Sequence, residues 1–315
     1  MNILITGCAG FIGSRICQKL LSENGHKIIG IDNFDLFYPK CIKQDNMSSF
    51  ISNPNFIFHE IDITGKELLD NIFENNKIDA VIHLAAKAGV RNSSIYPLDF
   101  LKTNVYGTLN ILECMKKYAI KKLVFSSSSS VYGNCTSEKF SEDMKNLKQL
   151  SIYALTKINA ENYIELYSRL YGINAVCLRF FTVYGKRQRP DLAISKFTRQ
   201  IKNNEVLTMY GDGSSYRDYT HVDDISDGII SALKYDKTSY EIINLGSENP
   251  IKLSDLISIL EKLIGKKANI VSEPMPSEDM VRTYADISKA KKLLNYEPKV
   301  KFDDGIADIV KTIDL

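Results

Sequence analysis

Short apolar runs alternate with longer amphipathic segments along the first 180 residues. Six of these runs, residues 2–6, 27–31, 55–61, 80–84, 122–126 and 175–179, are rich in β-branched and apolar side chains and too short for buried helices. Each is predicted to be a strand. Their hydrophobicity is nearly continuous, as a parallel sheet covered on both faces requires. The segments between them, 151–171 above all, keep apolar positions at helical spacing, in that case without Gly or Pro. The pattern predicts an α/β fold, a doubly wound parallel sheet of the Rossmann type whose strands are joined by crossover helices.

Beyond Phe181 the alternation breaks at turn clusters 211–215 and 273–277. Residues 1–180 are therefore expected to form the domain of the doubly wound sheet, and residues 181–315 a smaller C-terminal α/β lobe. The two are expected to interleave, because residues 241–246 read as a further buried strand returning to the first sheet. No internal repeat or long linker separates them.

Composition narrows the function. Lys and Arg number 40 against 38 Asp and Glu, so the chain lacks the charge imbalance of a nucleic-acid or anionic-membrane binder. No stretch approaches the roughly 20 apolar residues of a membrane span. The N-terminus runs directly into the first predicted strand, so a cytoplasmic protein is expected. Six cysteines are scattered without a Cys-x-x-Cys pair and only four histidines are present, so neither a disulfide framework nor a metal site is expected.

Candidate chemistry begins at the first strand-to-helix turn. Gly7, Gly10 and Gly13 recur at a three-residue spacing there, flanking Phe11 and Ile12. Glycines let backbone approach a pyrophosphate, and the N-terminus of the following helix favours its charge. About 20 residues on, Asp32 ends the second strand, where a carboxylate can accept hydrogen bonds from adenosine ribose hydroxyls and repel a 2′-phosphate. This favours NAD over NADP. Asp62 and Ile63, closing the third strand, are candidates for the adenine.

Tyr-x-x-x-Lys occurs twice. Tyr118 ends a predicted helix and Lys122 opens the next strand, so that pair cannot share a helical face. Tyr153 and Lys157 lie within one helix, four residues apart and stacked on one face. A phenol titrates near 10, and it serves as a base only when neighbouring positive charge stabilises the phenolate. Lys157 and a nicotinamide cation would do so. Five serines, Ser126 to Ser130, follow the fifth strand, and Ser128 is the candidate hydroxyl relay.

With these residues in hand the sequence resembles the extended short-chain dehydrogenase/reductases, and within them the NAD-dependent nucleotide-sugar 4-epimerases. The resemblance spans essentially the whole chain. It is carried by Thr6 to Ser14, His83-Leu84-Ala85-Ala86, Ser126 to Gly133, Tyr153-Ala154-Leu155-Thr156-Lys157 and Leu178 to Gly185. Arg217 to Asp224 and Arg282 to Ala290 in the second lobe add to it. It implies that Tyr153 deprotonates a sugar 4-hydroxyl while C4 is oxidised by NAD, and that the 4-keto sugar then turns over and is reduced on its other face. It implies cofactor contacts from Asn33, Leu84, Ala85, Ala86, Lys87, Asn104 and Ser126, and substrate contacts from Ser128, Ser129 and Ser130. Arg217 and Arg282 would hold a UDP diphosphate. A homodimer paired through the helices at 97–118 and 151–171 is expected on the same ground.

Related dehydratases and decarboxylases carry an acid just before Val-Tyr-Gly, where this chain has Ser130, so epimerisation is expected over elimination. The loop Asp32 to Pro39, Ala88-Gly89-Val90-Arg91 and the run from Phe180 to Asp191 resemble UDP-glucuronate 4-epimerases in particular. Thr182 stands where UDP-glucose epimerases commonly carry Asn, and with Arg189 could receive a C5 carboxylate. Lys186 departs from the proline frequent in relatives. The expected reaction is UDP-glucuronate to UDP-galacturonate. The alternatives are epimerisation of UDP-glucose or UDP-N-acetylglucosamine, UDP-glucuronate decarboxylation, a dehydrogenase releasing reduced cofactor, and a catalytically silent NAD-binding regulator.

Overall fold

A computed structural model describes residues 1–23 and 25–313. Its strands are β1 (Asn2–Thr6), β2 (Lys27–Asp32), β3 (Phe56–Glu60), β4 (Ala80–His83), β5 (Lys122–Ser128), β6 (Asn174–Phe180), β7 (Thr182–Tyr184), β8 (Val206–Tyr210), β9 (Tyr216–His221), β10 (Tyr240–Leu245), β11 (Pro250–Lys252) and β12 (Asn269–Glu273). Seven of them form one parallel sheet in the order β10-β6-β5-β4-β1-β2-β3. The six strands read from the sequence are all present, and Tyr240–Leu245 adds a seventh beside β6.

Period-two alternation divides each strand between two cores. Ile3, Ile5, Ile28, Ile82, Val124 and Val176 face one layer, packed by the helices Phe11–Ser22 and Val222–Lys234. Leu4, Ile29, Val81, Leu123, Phe125 and Cys177 face the other, beneath the helices Lys66–Asn75, Thr108–Lys117 and Ile152–Tyr171. Both faces are thus covered over most of the sheet, which is why the central positions of these strands are apolar. Each fully buried aliphatic side chain contributes roughly 1.5–3 kcal/mol.

A third core, built on Tyr184, Phe197, Leu207, Tyr219, Leu256 and Phe302, sits among the helices Ala193–Lys202, Leu253–Ile264 and Phe302–Thr312. Two small sheets, β11-β9-β7 and β12-β8, border it. Strand β7 follows β6 after one residue, so the polypeptide leaving the large sheet directly enters the small one.

The order of strands reverses between β1 and β4, the switch point at whose carboxyl ends open α/β sheets bind ligands. There the β1 turn closes tightly: the Gly7 amide donates to the Ile31 carbonyl at 2.7 Å, and Gly7 adopts φ +73°. A Cβ on Gly7 would lie 2.8 Å from the Ala85 amide nitrogen.

The helical region at 97–118 is less regular than its periodicity predicts. An α-helical turn, Pro97–Leu101, passes into a π-helical turn, Lys102–Gly107, before α-helix resumes at Thr108–Lys117. Asn104 lies in the π turn. Among the described residues, no helix is long and apolar enough to cross a membrane.

Candidate active site

A cavity of about 330 Å3 opens at the switch point. Its lining includes Gly7, Gly10, Gly13, Asp32, Asp62, Ser126, Ser128, Tyr153, Lys157 and Arg189. The exits of β1, β2, β4 and β5 form its floor, and the helix Ile152–Tyr171 one wall.

The glycine turn has the form a diphosphate requires. A Cβ on Gly13 would sit 2.0 Å from the Gly7 carbonyl oxygen, so the helix N-terminus can press onto the turn only because residue 13 has no side chain. Phe11–Ser22 starts at Gly10 with no side-chain cap, leaving its first amides facing the cavity side of the turn. Asp32 is 7% exposed; its two oxygens accept the Ala9 amide at 3.1 Å and the Phe34 amide at 2.8 Å. Burial pushes its carboxyl above the usual range, against the pull of Lys43, whose Nζ is 3.9 Å away. Asn33 donates to Asp62 at 2.8 Å, joining a predicted cofactor contact to one of the two predicted adenine-side positions. These features fit a dinucleotide in this crevice.

The helix that carries the catalytic candidates is capped at both ends. The Ser151 hydroxyl accepts the Ala154 amide at 3.1 Å, and Gly172 ends the helix in the left-handed conformation at φ +65°. Tyr153 and Lys157 consequently share the cavity-facing stripe. Lys157 Nζ donates to the Ser126 carbonyl at 2.7 Å and lies 6.0 Å from the Tyr153 ring centre. Burial pushes the Lys157 amine down to about 7, while Glu161 pulls it upward. Burial also raises the Tyr153 phenol, an effect opposed by the neighbouring Ser128 hydroxyl and by the Arg189 charge. The Ser128 hydroxyl in turn accepts from the Ser130 hydroxyl at 2.9 Å and the Ser130 amide at 3.2 Å.

Every predicted cofactor position except Asn104 lines this cavity. Asn104 sits behind it, buried, with its amide accepting from Lys87 N at 2.8 Å and donating to Lys87 O at 2.9 Å and Thr156 Oγ1 at 3.0 Å. It therefore ties the loop after β4 to the Tyr153 helix. Of the predicted substrate positions, Ser128 and Arg189 line the cavity. Arg189 is paired through two bonds with Asp191, at 3.0 and 2.8 Å, and stacks 5.0 Å from the Phe37 ring centre. Thr182, between the lining residues Phe181 and Val183, starts β7 and does not itself line the cavity.

Ser129, Ser130, Arg217 and Arg282 also fall outside that lining. Arg217 Nη1 donates to the Tyr216 carbonyl at 3.0 Å, and Arg282 donates to the carbonyls of Thr136 and Ser137. Arg282 lines a shallower depression with Tyr216 and Cys135. The other Tyr-x-x-x-Lys pair is apart from all of this: Tyr118 caps a helix, and Lys122 bonds the Tyr235 carbonyl.

Several neighbours were not singled out from the sequence. Asp35 pairs with the predicted cofactor position Lys87 at 2.9 Å, and Phe37, Tyr38 and Lys43 line the same cavity. Arg91 stacks 4.0 Å from the Tyr210 ring centre while pairing with Asp279 at 2.7 Å. Beneath the catalytic candidates a buried Glu161 binds Arg179. That last pair had a signal: an arginine in an otherwise apolar buried strand requires a partner.

Fold, glycine turn and Tyr–Lys helix together define the class. The chain belongs to the NAD dependent epimerase/dehydratase family, whose model matches residues 3–246. It is 45% identical over 304 residues to the UDP-glucuronate 4-epimerase of Thermodesulfobacterium geofontis, covering 96% of this chain and 93% of that protein. Its structure is similar to that of UDP-glucuronic acid 4-epimerase from Bacillus cereus in complex with UDP-glucuronic acid and NAD. That match has a TM-score of 0.93 at 38% identity and covers 99% of each chain. It is also similar to UDP-glucose 4-epimerase from Thermotoga maritima with UDP-glucose, with a TM-score of 0.90 at 33% identity over 99% and 98% of the two chains.

Proposed function

We propose that this protein interconverts UDP-glucuronate and UDP-galacturonate by NAD-dependent epimerisation at C4. The observation that carries the proposal is the convergence of Tyr153, Lys157, Ser128 and Arg189 with the glycine turn on one cavity. The near full-length likeness to UDP-glucuronate 4-epimerases supports the choice of sugar.

The backbone of Gly7, Gly10 and Gly13 would hold the NAD pyrophosphate, Asp32 the adenosine ribose, and Asn33, Asp62 and Ile63 the adenine side. Bound NAD supplies a reversible two-electron acceptor for C4 and a positive charge beside the phenol. Tyr153 removes the proton of the sugar 4-hydroxyl and later returns it to the ketone oxygen. Lys157 makes this feasible because its ammonium favours the phenolate that burial alone disfavours. Ser128, which lines the cavity with Tyr153, passes the proton between phenol and sugar oxygen.

Specificity follows from Arg189. A 4-keto glucuronate is a β-keto acid that loses carbon dioxide when its carboxylate aligns with the ketone. Arg189, which lines the cavity, would hold that carboxylate out of alignment through charge-assisted bonds, with Thr182 next to the lining residues Phe181 and Val183. Arg217 and Arg282 take the diphosphate by exchanging backbone carbonyls for phosphate oxygens. We also assign a homodimer, supported by apolar side chains left exposed on the two neighbouring helical regions, including Leu98 at 76%, Leu101 at 49% and Leu170 at 57%. Light scattering on the purified protein tests it. The six unpaired thiols suit a cytoplasmic setting.

The test is proton NMR of purified protein with UDP-glucuronate and no added cofactor. UDP-galacturonate should accumulate to an equilibrium mixture, and UDP-glucose and UDP-N-acetylglucosamine should turn over far more slowly. Turnover of those neutral sugars with UDP-glucuronate ignored would reject the sugar, and release of a UDP-pentose would reject the reaction.

A further inference from the structure

Glu161 lies one helical turn beyond Lys157 on Ile152–Tyr171, and it is 1% exposed. Its carboxylate accepts Arg179 Nε at 3.0 Å and Nη2 at 2.7 Å from β6, and also the Ser127 hydroxyl from β5. Ser127 stands between two residues that act on the site. The carbonyl of Ser126 receives the Lys157 ammonium, and Ser128 lines the cavity together with Tyr153. One bond from Glu161 therefore fixes the end of β5 against the helix carrying both catalytic candidates.

Arg179 extends the clamp. Its guanidinium lies 4.8 Å from the Tyr132 ring centre, and the Tyr132 hydroxyl donates to Asn244 on β10 at 2.7 Å. A buried ion pair of this kind is a poor source of stability, since well-packed apolar residues do as well or better in its place. Its position beside the reacting groups calls for another role.

The charges around Lys157 supply one. The titratable groups that face it are Tyr153 and Glu161 on its own helix, His83 on β4 and Cys177 on β6. Burial, reinforced by Lys157 itself, pushes the His83 imidazole down to about 3, so it is neutral. Burial pushes the Cys177 thiol well up, and it too is neutral. Among the described residues this leaves the Glu161 carboxylate as the anion acting on Lys157.

We propose that Glu161, clamped by Arg179 and Ser127, is a positioning residue that keeps Lys157 charged and sets the strand end that orients Ser128. The proposal rests on reading Tyr153 and Lys157 as the catalytic pair. Three variants test it, Glu161→Gln, the charge-free double replacement Glu161→Gln/Arg179→Met, and Ser127→Ala, each purified with its own NAD. The readouts are kcat and KM for UDP-glucuronate across pH.

Removing the carboxylate should move the alkaline limb of kcat down by about one pH unit, the effect of losing a nearby opposite charge. KM should change by less than about twofold, because ground-state binding is untouched. Ser127→Ala keeps the charge, so its limb should stay in place while misplacement of Ser128 lowers kcat about tenfold. A folded, NAD-loaded Glu161→Gln or double variant with the parental limb would overturn the proposal, as would Ser127→Ala with parental kcat. If neither Glu161 variant folds, Ser127→Ala decides. Tyr153→Phe separates the two levels: undiminished turnover in that variant would remove the underlying reading, whereas an inactive Tyr153→Phe beside unaffected clamp variants would remove only this inference.

Discussion

Gly13→Ala probes the cofactor turn with a single methyl group. An added Cβ would fall 2.0 Å from the Gly7 carbonyl oxygen, 2.8 Å from its carbonyl carbon and 3.0 Å from Cys8 Cα. Ordinary carbon–oxygen contacts begin near 3.2 Å, so relief demands a displacement of about 1 Å. All three opposing atoms are backbone, and no side-chain rotation can provide it. Overpacking of this severity costs about 1–3 kcal/mol. A 2 kcal/mol loss lowers Tm by about 4–8 °C in a domain of 150–250 residues, which is the scale of the large sheet. The same displacement pulls the helix N-terminus off the turn, so NAD should be lost as well.

Gly10→Ala is the matched control. Its Cβ would meet the Gly7 oxygen at 3.2 Å, a contact the turn can absorb, and Gly10 has φ −72°, open to alanine. Its Tm should stay within about 2 °C of the parent while NAD retention falls, because the methyl occupies the space through which backbone approaches a phosphate. Thermal melts and the NAD released on acid precipitation provide both numbers. Parental Tm and full NAD content in Gly13→Ala would refute this account of the turn.

Other consequences are equally direct. Asp32→Asn keeps the shape of the group but removes its charge, so the preference for NADH over NADPH should narrow by about tenfold in fluorescence titrations of cofactor-stripped protein. Arg179→Met alone strands the Glu161 carboxylate without its cation and should lose about 3–5 kcal/mol in urea unfolding, with the double replacement recovering most of it. His83 is held from its ordinary value near 6.5 down to about 3 by burial and by Lys157. The unfolded chain therefore binds an extra proton between those values. The stabilisation is complete above about 6.5 and is lost as pH falls toward 3. His83→Gln, whose amide can reach the Thr6 and Thr108 hydroxyls that His83 contacts at 2.7 and 3.0 Å, should flatten that dependence by up to one proton in urea midpoints measured against pH.

The large sheet was legible because both of its faces are covered over most of their extent. With no solvated side, Ile3-Leu4-Ile5 or Ala80-Val81-Ile82 can only be buried strand. The return of β10 was legible for the same reason, since Ile243 and Leu245 are fully buried. The glycine turn and the Tyr153 helix were readable because their chemistry depends on local spacing. The π turn at Lys102–Gly107 was not, because one extra residue per turn leaves an amphipathic pattern almost unchanged.

Contacts between distant loops were also hidden. Asp35 with Lys87, and Phe37 with Arg189, are joined by packing of the loops after β2, β4 and β7, and no periodicity encodes that. Arg217 and Arg282 show the opposite case. The motifs name them, yet their guanidiniums rest on nearby carbonyls outside the main cavity.

In the proposed reaction a retained dinucleotide takes electrons from C4 and gives them back to the same carbon while Tyr153 moves the proton. UDP-glucuronate carrying deuterium at C4, incubated in ordinary water with the purified protein and no added cofactor, tests it by NMR and mass spectrometry. UDP-galacturonate should still carry the label at C4, and Tyr153→Phe that has kept its NAD should give no conversion. Product with hydrogen from solvent at C4, or full conversion by the phenylalanine variant, would contradict it.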